Sequence, residues 1–166
     1  MTVRVSVNYN DPRWKRCDLK RYVTLLISKV IQTHQMRLKG TSLSVLACSD
    51  SKIKELNKIY RKKNKVTNVL AWPAKDYFFY IGQDYRSYGK NNHLFLGDIA
   101  ISYETCSREA YFQNIPFNRY CCKLLVHAIL HLLGYDHDIS MRTSKMQLME
   151  TRVLNSFLIH RPSNDN

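Results

Sequence analysis

Acidic residues are scarce in this chain. Asp and Glu total 13 against 26 Lys and Arg, which gives a formal net charge of +13 and a pI near 9.7. A positive surplus of this size in 166 residues favours a polyanionic partner, because opposite charges attract. Net charge affects what the protein associates with and does not determine its fold. The alternative is a solvated basic surface without a dedicated partner, which charge alone also allows.

Long apolar runs and cysteine pairs at metal-binding spacing are missing as well. No stretch approaches the ~18 consecutive apolar residues of a membrane span, and the first residues alternate in polarity instead of forming the apolar region of a secretory signal. The five cysteines are odd in number and contain no Cys-x-x-Cys pair. We therefore expect a soluble, cytoplasmic protein without disulfides and without a membrane partner.

Regular structure is predicted along almost the whole chain, with no repeat, low-complexity tract or linker to divide it. Polarity that alternates or stays apolar predicts strands at 2–8, 42–48, 66–72 and 94–102. Helical spacing predicts helices at 18–35, 50–64, 103–113, 117–133 and from 140 onward. These elements predict a single α+β domain, in which a small mixed sheet of about four strands is covered by about five helices.

The second predicted helix is strongly cationic. Its outward face carries basic residues against a single Glu55: Lys52, Lys54, Lys58, Arg61, Lys62, Lys63 and Lys65. Its buried side is predicted to consist of Ile53, Leu56, Ile59 and Tyr60. Such a face suits a phosphate backbone.

The segment 74–93 interleaves six aromatic residues with cations. Aromatic rings beside cations are able to stack on and clamp unpaired bases. A hairpin whose aromatic residues pack on the sheet explains the same composition without a ligand, and it is the favoured interpretation.

Three of the six histidines fall within eleven residues. A helix over 124–133 would project His127 and His131 from one face, about one turn apart, which is the geometry for one metal ion. Gly134 is the predicted helix stop, because glycine readily takes the left-handed conformation that turns the chain back and lets His137 approach. Three imidazoles with an open fourth position are typical of catalytic zinc, whereas structural zinc sites usually close with four protein ligands.

The histidine spacing also equals that of the metzincin peptidases, H-E-x-x-H-x-x-G-x-x-H. Ala128 stands where those peptidases carry their glutamate general base, so a peptidase is disfavoured while zinc binding is unaffected. The other histidines are predicted to be surface or packing residues: His34, His93 and His160. Three acids on predicted helices are expected to be solvated or ion-paired, which leaves no candidate general base: Glu104, Glu109 and Glu150.

Three blocks of sequence resemble the YbeY family of zinc-dependent, ribosome-associated endoribonucleases. Val126–His137 is close to the family pattern H-G-x-L-H-L-x-G-Y-D-H, and Leu96–Ser102 is similar to L-G-D-I-x-I-S. Leu56–Arg61 and Thr67–Pro73 resemble L-N-x-x-Y-R and T-D-V-L-S-F-P. The resemblance implies one metal-dependent hydrolase domain over 1–160, followed by a polar tail at 161–166.

The chain departs from the family pattern at several positions. Ala128 replaces a glycine, Asn68 an aspartate, Ala71 a serine, Trp72 a phenylalanine and Val66 a proline. Asn68 bears most on activity, because an asparagine keeps the shape of an aspartate but loses any charge-assisted hydrogen bond to a basic group or a strand end.

The resemblance implies one zinc ion held by His127, His131 and His137, with water as the fourth ligand, although imidazoles also suit nickel, copper and iron. It places Arg61 at the family's active-site arginine, where a guanidinium can stabilise phosphate charge in the transition state. Asp136 either orients an imidazole or caps the turn. Phosphate contacts are assigned to the neighbouring lysines: Lys58, Lys62, Lys63 and Lys65.

The implied function is a single-strand-specific endoribonuclease that acts in ribosomal RNA maturation, at the 3′ end of the small-subunit RNA, and in ribosome quality control. Its implied partners are ribosomal RNA, the ribosome and ribosome-associated proteins. Two alternatives stay open. One is a non-catalytic RNA-binding assembly factor with a structural zinc, and the other is a divergent zinc peptidase or other hydrolase.

Overall fold

The computed structural model describes residues 2–34, 40–74, 93–135 and 140–159. Within them the chain forms four strands, five α-helices and one 3₁₀ helix at Pro12–Arg16. The strands are β1 (Thr2–Tyr9), β2 (Gly40–Cys48), β3 (Val69–Pro73) and β4 (His93–Ser102). The helices are α1 (Leu19–Thr33), α2 (Asp50–Arg61), α3 (Tyr103–Phe112), α4 (Phe117–Leu132) and α5 (Ser140–Ile159). The predicted α+β fold is confirmed.

The four described strands form one mixed sheet in the order β1-β2-β4-β3. β1, β2 and β4 run parallel, and β3 pairs antiparallel with β4 from Val69 opposite Ile101 to Pro73 opposite Gly97. Side chains alternate between the two faces of a strand. Ile99 and Ile101 accordingly join the large core on one face, while Ala100 joins a smaller apolar cluster on the other.

The two faces of the sheet are covered by different helices. α1 and α4 pack on one face, where residues such as Leu26 and Leu125 are buried in the large core, and α5 packs on α1 and α4 and adds Val153 to the same core. α2 packs on the other face through Ile53, which contacts Leu70 of β3. The histidine-bearing helix and the cationic helix therefore lie on opposite faces, and both contact β3, an edge strand of the described sheet.

Two local features set the ends of α2 and the path of β3. Ser49 caps α2 by accepting a hydrogen bond from Lys52 N, and Lys62 ends the helix in the left-handed conformation at φ 57°. Gly97 of β4 has φ +133°, and a Cβ there would lie 2.1 Å from Trp72 O. Only glycine therefore permits β3 to lie this close to β4.

Candidate metal centre and basic surface

The last two turns of α4 bring His127 and His131 together. Their Nε2 atoms lie 3.1 Å apart, and the ring centroids are 4.6 Å apart with nearly perpendicular planes. The side chain of His127 is 33% exposed, so the pair lies at the border between core and solvent. The predicted one-turn separation thus converges both imidazoles on one point.

Each imidazole is oriented through its other nitrogen. His127 Nδ1 donates to Glu150 Oε1 of α5 at 2.6 Å, and His131 Nδ1 donates to the Tyr135 carbonyl oxygen at 2.7 Å. A proton on each Nδ1 leaves Nε2 as the nitrogen of each ring that can bind a metal ion. Two such nitrogens 3.1 Å apart, each on a ring with a hydrogen-bonded support, fit the donor set of a metal ion such as zinc.

The turn after α4 supplies the carbonyl that orients His131. Gly134 adopts φ 86°, its N–H donates to His131 O at 2.9 Å, and Tyr135 N donates to Leu130 O at 3.1 Å. These two bonds define a Schellman motif, which satisfies the last carbonyls of the helix. The predicted glycine stop is present, and its geometry places the Tyr135 carbonyl beside the imidazole.

Tyr135 is itself anchored from α1. The buried Tyr135 hydroxyl donates to His34 Nε2 at 2.7 Å, and His34 Nδ1 donates to the Val30 carbonyl at 2.7 Å. Burial lowers the pKa of His34 below its usual 6.5, which outweighs the opposite effect of the Val30 carbonyl. His34, predicted to be a surface or packing residue, therefore supports the turn that follows the histidine helix.

Asp136 and His137 lie outside the described residues, as do the side chain of His93 and all of His160. Within the described ranges, no three His, Cys, Asp or Glu side chains come close enough to hold one metal ion. The third ligand and the role of Asp136 therefore stay predictions.

Position 128 faces the core and not the histidine pair. Ala128 is 1% exposed and belongs to the large apolar cluster beneath α4. A carboxylate at this position would be buried among apolar side chains, which is costly without a partner. Burial of Ala128 strengthens the argument against a peptidase of the metzincin type.

Asn68 makes one contact that an ionised aspartate could not make, the hydrogen bond that it donates to Glu109. Its Nδ2 donates to Glu109 Oε2 at 2.8 Å, and its Oδ1 accepts from Val69 N at 2.7 Å at the start of β3. Tyr120 OH also donates to Glu109 Oε2, and burial together with this carboxylate raises the pKa of Tyr120 to about 12. The side chain that Asn68 contacts is thus acidic, and the asparagine supplies the donor that this acid requires.

The predicted RNA-contacting cations are all exposed. Arg61 is the last residue of α2, and no hydrogen bond or ion pair joins it to another described side chain. The four lysines project into solvent at the end of α2 and beyond it: Lys58, Lys62, Lys63 and Lys65. No described contact connects this group to the histidine pair.

Two expectations about side chains near these sites need correction. Ile59 is 49% exposed and Tyr60 64% exposed, so the prediction that both lie on the buried side of α2 is wrong. Because Ile53 and Asn57 alone among α2 residues are buried, the covered stripe is narrower than the apolar pattern suggests. Glu150 is 18% exposed and bonded to His127, whereas the sequence assigned it no role at the site.

Known proteins resemble this chain over most of its length. A family model described as Endoribonuclease YbeY matches residues 7–158. The chain belongs to this family. It is 37% identical to the Endoribonuclease YbeY of Cereibacter sphaeroides over 154 residues, covering 90% of this chain and 92% of the relative. It is also 36% identical to that of Paracoccus denitrificans, covering 95% and 88%.

A solved structure shares the fold of this chain. A solution structure of a protein from Thermotoga maritima superposes with a TM-score of 0.55 at 20% identity, covering 99% of this chain and 97% of the other. At that identity the likeness concerns the fold alone. No described helix combines the length and the apolarity that crossing a membrane requires. Residues 75–92 lie outside the described part, so both interpretations of the aromatic segment stay predictions.

Proposed function

We propose that this chain is a zinc-dependent endoribonuclease, specific for single strands, that acts in ribosomal RNA maturation and ribosome quality control. Membership of the YbeY family makes it an RNA-cleaving hydrolase. The observation that supports metal dependence is the 3.1 Å convergence of the Nε2 atoms of His127 and His131. The proposed site of cleavage, the 3′ end of the small-subunit RNA, rests on the family resemblance.

The proposed zinc ligands are His127, His131 and His137. Zinc in such a site supplies Lewis acidity, which lowers the pKa of water toward ~7 or polarises a phosphoryl oxygen. Glu150 and the Tyr135 carbonyl hold protons on the two Nδ1 atoms, so that both Nε2 atoms remain available as ligands. Asp136 is proposed to orient the remaining imidazole.

Arg61 is proposed to contact the reacting phosphate. A guanidinium can hold two phosphate oxygens and stabilise the charge that builds in the transition state. The exposed lysines that follow it are proposed to contact neighbouring phosphates, with affinity that falls as salt rises. Ribosomal RNA, the ribosome and its proteins are the proposed partners, and the cytoplasm is the proposed compartment.

His131→Ala tests the metal-dependent mechanism. We expect this variant to lose both stoichiometric zinc, measured by elemental analysis, and cleavage of a single-stranded RNA. Wild-type protein stripped with a chelator and then reloaded with zinc is the control, and reloading should restore cleavage. Undiminished cleavage by metal-free His131→Ala would refute the mechanism.

Arg61→Ala separates an enzyme from a non-catalytic assembly factor. An enzyme should lose turnover while it retains zinc and most of its RNA affinity, whereas an assembly factor should lose mainly binding. Arg16→Ala, an exposed arginine of the 3₁₀ helix, removes the same charge elsewhere and should leave turnover unchanged. Loss of binding without any loss of turnover in Arg61→Ala would favour the assembly factor.

A further inference from the structure

The aromatic residue near the end of the cationic helix is exposed although its helical position predicts burial. Tyr60 is 64% exposed and precedes Arg61, the last residue of α2. Single exposed apolar residues are common on protein surfaces and need no explanation. Tyr60 differs because it is one member of an aromatic pair surrounded by cations.

The second member of the pair is Trp72 of β3. The ring centroids of Tyr60 and Trp72 lie 5.4 Å apart at 66°, an edge-to-face contact. Trp72 packs against the small apolar cluster between α2 and the sheet, which includes Ile53 and Leu70. Trp72 thus contacts both the apolar cluster and the Tyr60 ring, while most of the Tyr60 surface stays exposed.

The backbone that carries the neighbouring lysines is held by hydrogen bonds to a buried asparagine. Asn57, only 2% exposed, accepts Lys63 N through its carbonyl at 3.2 Å and donates Nδ2 to Lys65 O at 2.8 Å. Lys62 occupies a left-handed conformation at φ 57°, where glycine carries no penalty and a side chain carries one of about 1 kcal/mol. A non-glycine residue in this conformation is uncommon, which is a reason to look for a function.

We propose that Tyr60 and Trp72 form a stacking platform for an unpaired base of the RNA, while the adjacent lysines bind its phosphates. The proposal rests on the proposed function and extends it to base contacts. Stacking on aromatic rings accepts any base but requires it to be unpaired, and it is typically combined with a positively charged groove. Charge complementarity selects RNA over an apolar protein partner, because five cations follow one another between 58 and 65.

The position of the platform suits a strand that leads toward the metal centre. Trp72 lies on β3, the edge strand of the described sheet that both α2 and α4 contact from opposite faces. A strand of RNA that binds the lysines of α2 and passes this edge would lead toward the face that carries the histidines of α4. An unpaired base held at this edge explains a preference for single strands at the level of binding.

Intrinsic fluorescence tests the platform without catalysis. The chain has two tryptophans, and Trp14 is 0% exposed, so quenching by a stacked base reports on Trp72. The experiment titrates the zinc-free His131→Ala variant with a short oligouridine, a matched oligonucleotide with abasic sites, and a blunt RNA duplex. We expect quenching by the oligouridine and little by the other two. Equal quenching by the abasic strand, or none by the oligouridine, would overturn the proposal.

Substitutions at Tyr60 provide the second arm. Tyr60→Leu keeps an apolar side chain but removes the ring, and we expect single-strand affinity to fall roughly 5- to 150-fold, the range for loss of one stacking residue. Tyr60→Phe keeps the ring and should bind within about twofold of wild type. An oligouridine affinity of Tyr60→Leu equal to that of Tyr60→Phe would contradict stacking.

Cleavage by the zinc-loaded wild type distinguishes failure of the platform from failure of the proposed function. Cleavage of single-stranded RNA together with unchanged KM in Tyr60→Leu would leave the endoribonuclease intact and overturn the platform. Base-dependent quenching together with a zinc-loaded wild type that leaves RNA intact would retain the platform and refute the proposed activity.

Discussion

Each of the paired imidazoles is held by an acceptor from a different part of the chain. Glu150 reaches His127 from α5, whereas the carbonyl that holds His131 comes from the turn only four residues later. A carboxylate acceptor also raises the basicity of the imidazole and hence its strength as a metal ligand. The two proposed ligands are therefore supported unequally, and Glu150 is the side chain whose removal tests this support.

Replacing Glu150 should weaken metal binding without unfolding the protein. Loss of an acceptor behind a metal-binding histidine typically costs 10- to 100-fold in affinity, so we expect Glu150→Ala to lose about that much zinc affinity, and Glu150→Gln to lose less. Competition with a chromophoric chelator measures this affinity. Glu55→Ala, at an exposed acid of α2 that pairs with Lys52, should bind zinc like wild type. Unchanged affinity in Glu150→Ala would show that the bond to His127 is unimportant.

His34 should make stability depend on pH below neutrality. Burial lowers its pKa in the folded state, so the unfolded chain takes up the proton first on acidification. The contribution of His34 to the free energy of unfolding should therefore be complete above pH 6.5, the ordinary pKa of histidine. It should decrease as the pH falls toward the lower pKa of the folded state. Urea unfolding in chelator at pH 7.5 and 5.5 measures the change.

His34→Gln should reduce that pH dependence, because glutamine does not titrate. Thr33→Ala, at the preceding position of α1, leaves the imidazole in place and should retain the wild-type difference between the two pH values. If the free energy of unfolding changed as much between the two pH values in His34→Gln as in wild type, groups other than His34 would cause the pH dependence.

At the scale of elements, the turn at the end of α4 both terminates the helix and orients a proposed metal ligand. The same Schellman turn that satisfies the helix carbonyls presents the Tyr135 carbonyl to His131. This arrangement depends on a left-handed conformation at Gly134, φ 86°, which asparagine tolerates better than other non-glycine residues.

Gly134→Ala should therefore lower both stability and zinc affinity. We expect a loss of about 1–2 kcal/mol in the free energy of unfolding of the metal-free protein, and weaker zinc binding because the Tyr135 carbonyl shifts. Gly134→Asn is the matched control and should lose less of both. The measurements are urea unfolding in chelator and zinc competition. Equal losses in the two variants would mean that the left-handed conformation does not matter.

The sequence carries most of the element pattern because each element follows a local rule. The alternating residues of β1, the helical spacing of α1 and the glycine after α4 all act over a few neighbours, and all correspond to elements near their predicted bounds. Likewise, the convergence of His127 and His131 follows from helix geometry alone.

Contacts between distant elements were not predictable in the same way. The partner of His127 lies 23 residues away, and the bond from Tyr135 to His34 spans 101 residues. The exposure of Tyr60 likewise depends on how much of α2 the sheet covers. Helical periodicity predicts which face of a helix is apolar but not how much of that face is covered. The strand order β1-β2-β4-β3 is of the same kind, because it depends on long-range pairing.

At the scale of the whole molecule, a dense group of cations lies on the face of the sheet that carries the smaller of the two described apolar clusters. α2 lies on one face of the sheet with a small apolar cluster beneath it, whereas α1, α4 and α5 build the large core on the other. Among the described elements, the cations on α2 and its following loop thus belong to a surface that few others cover. Phosphate contacts there release counterions from RNA and make its binding depend on salt.

The salt dependence of RNA affinity tests whether this surface, and not net charge in general, binds the backbone. Each phosphate contact to a single strand contributes about −0.7 to the slope of log K against log salt, so four lost contacts should flatten the slope by about 3. The test variant changes four lysines to glutamine: Lys58, Lys62, Lys63 and Lys65. The control changes four exposed lysines elsewhere: Lys15, Lys20, Lys123 and Lys145.

Both quadruple variants lose the same formal charge, so long-range attraction falls equally in each. Fluorescence anisotropy with a labelled single-stranded RNA at several salt concentrations, with zinc removed to prevent cleavage, gives the slopes. We expect the slope of log K against log salt to flatten by about 3 in the test variant. In the control variant the slope should stay within about 0.7 of the wild-type value, which corresponds to one phosphate contact. Equal flattening in the two variants would mean that the whole basic surface attracts RNA diffusely and that the end of α2 has no special role.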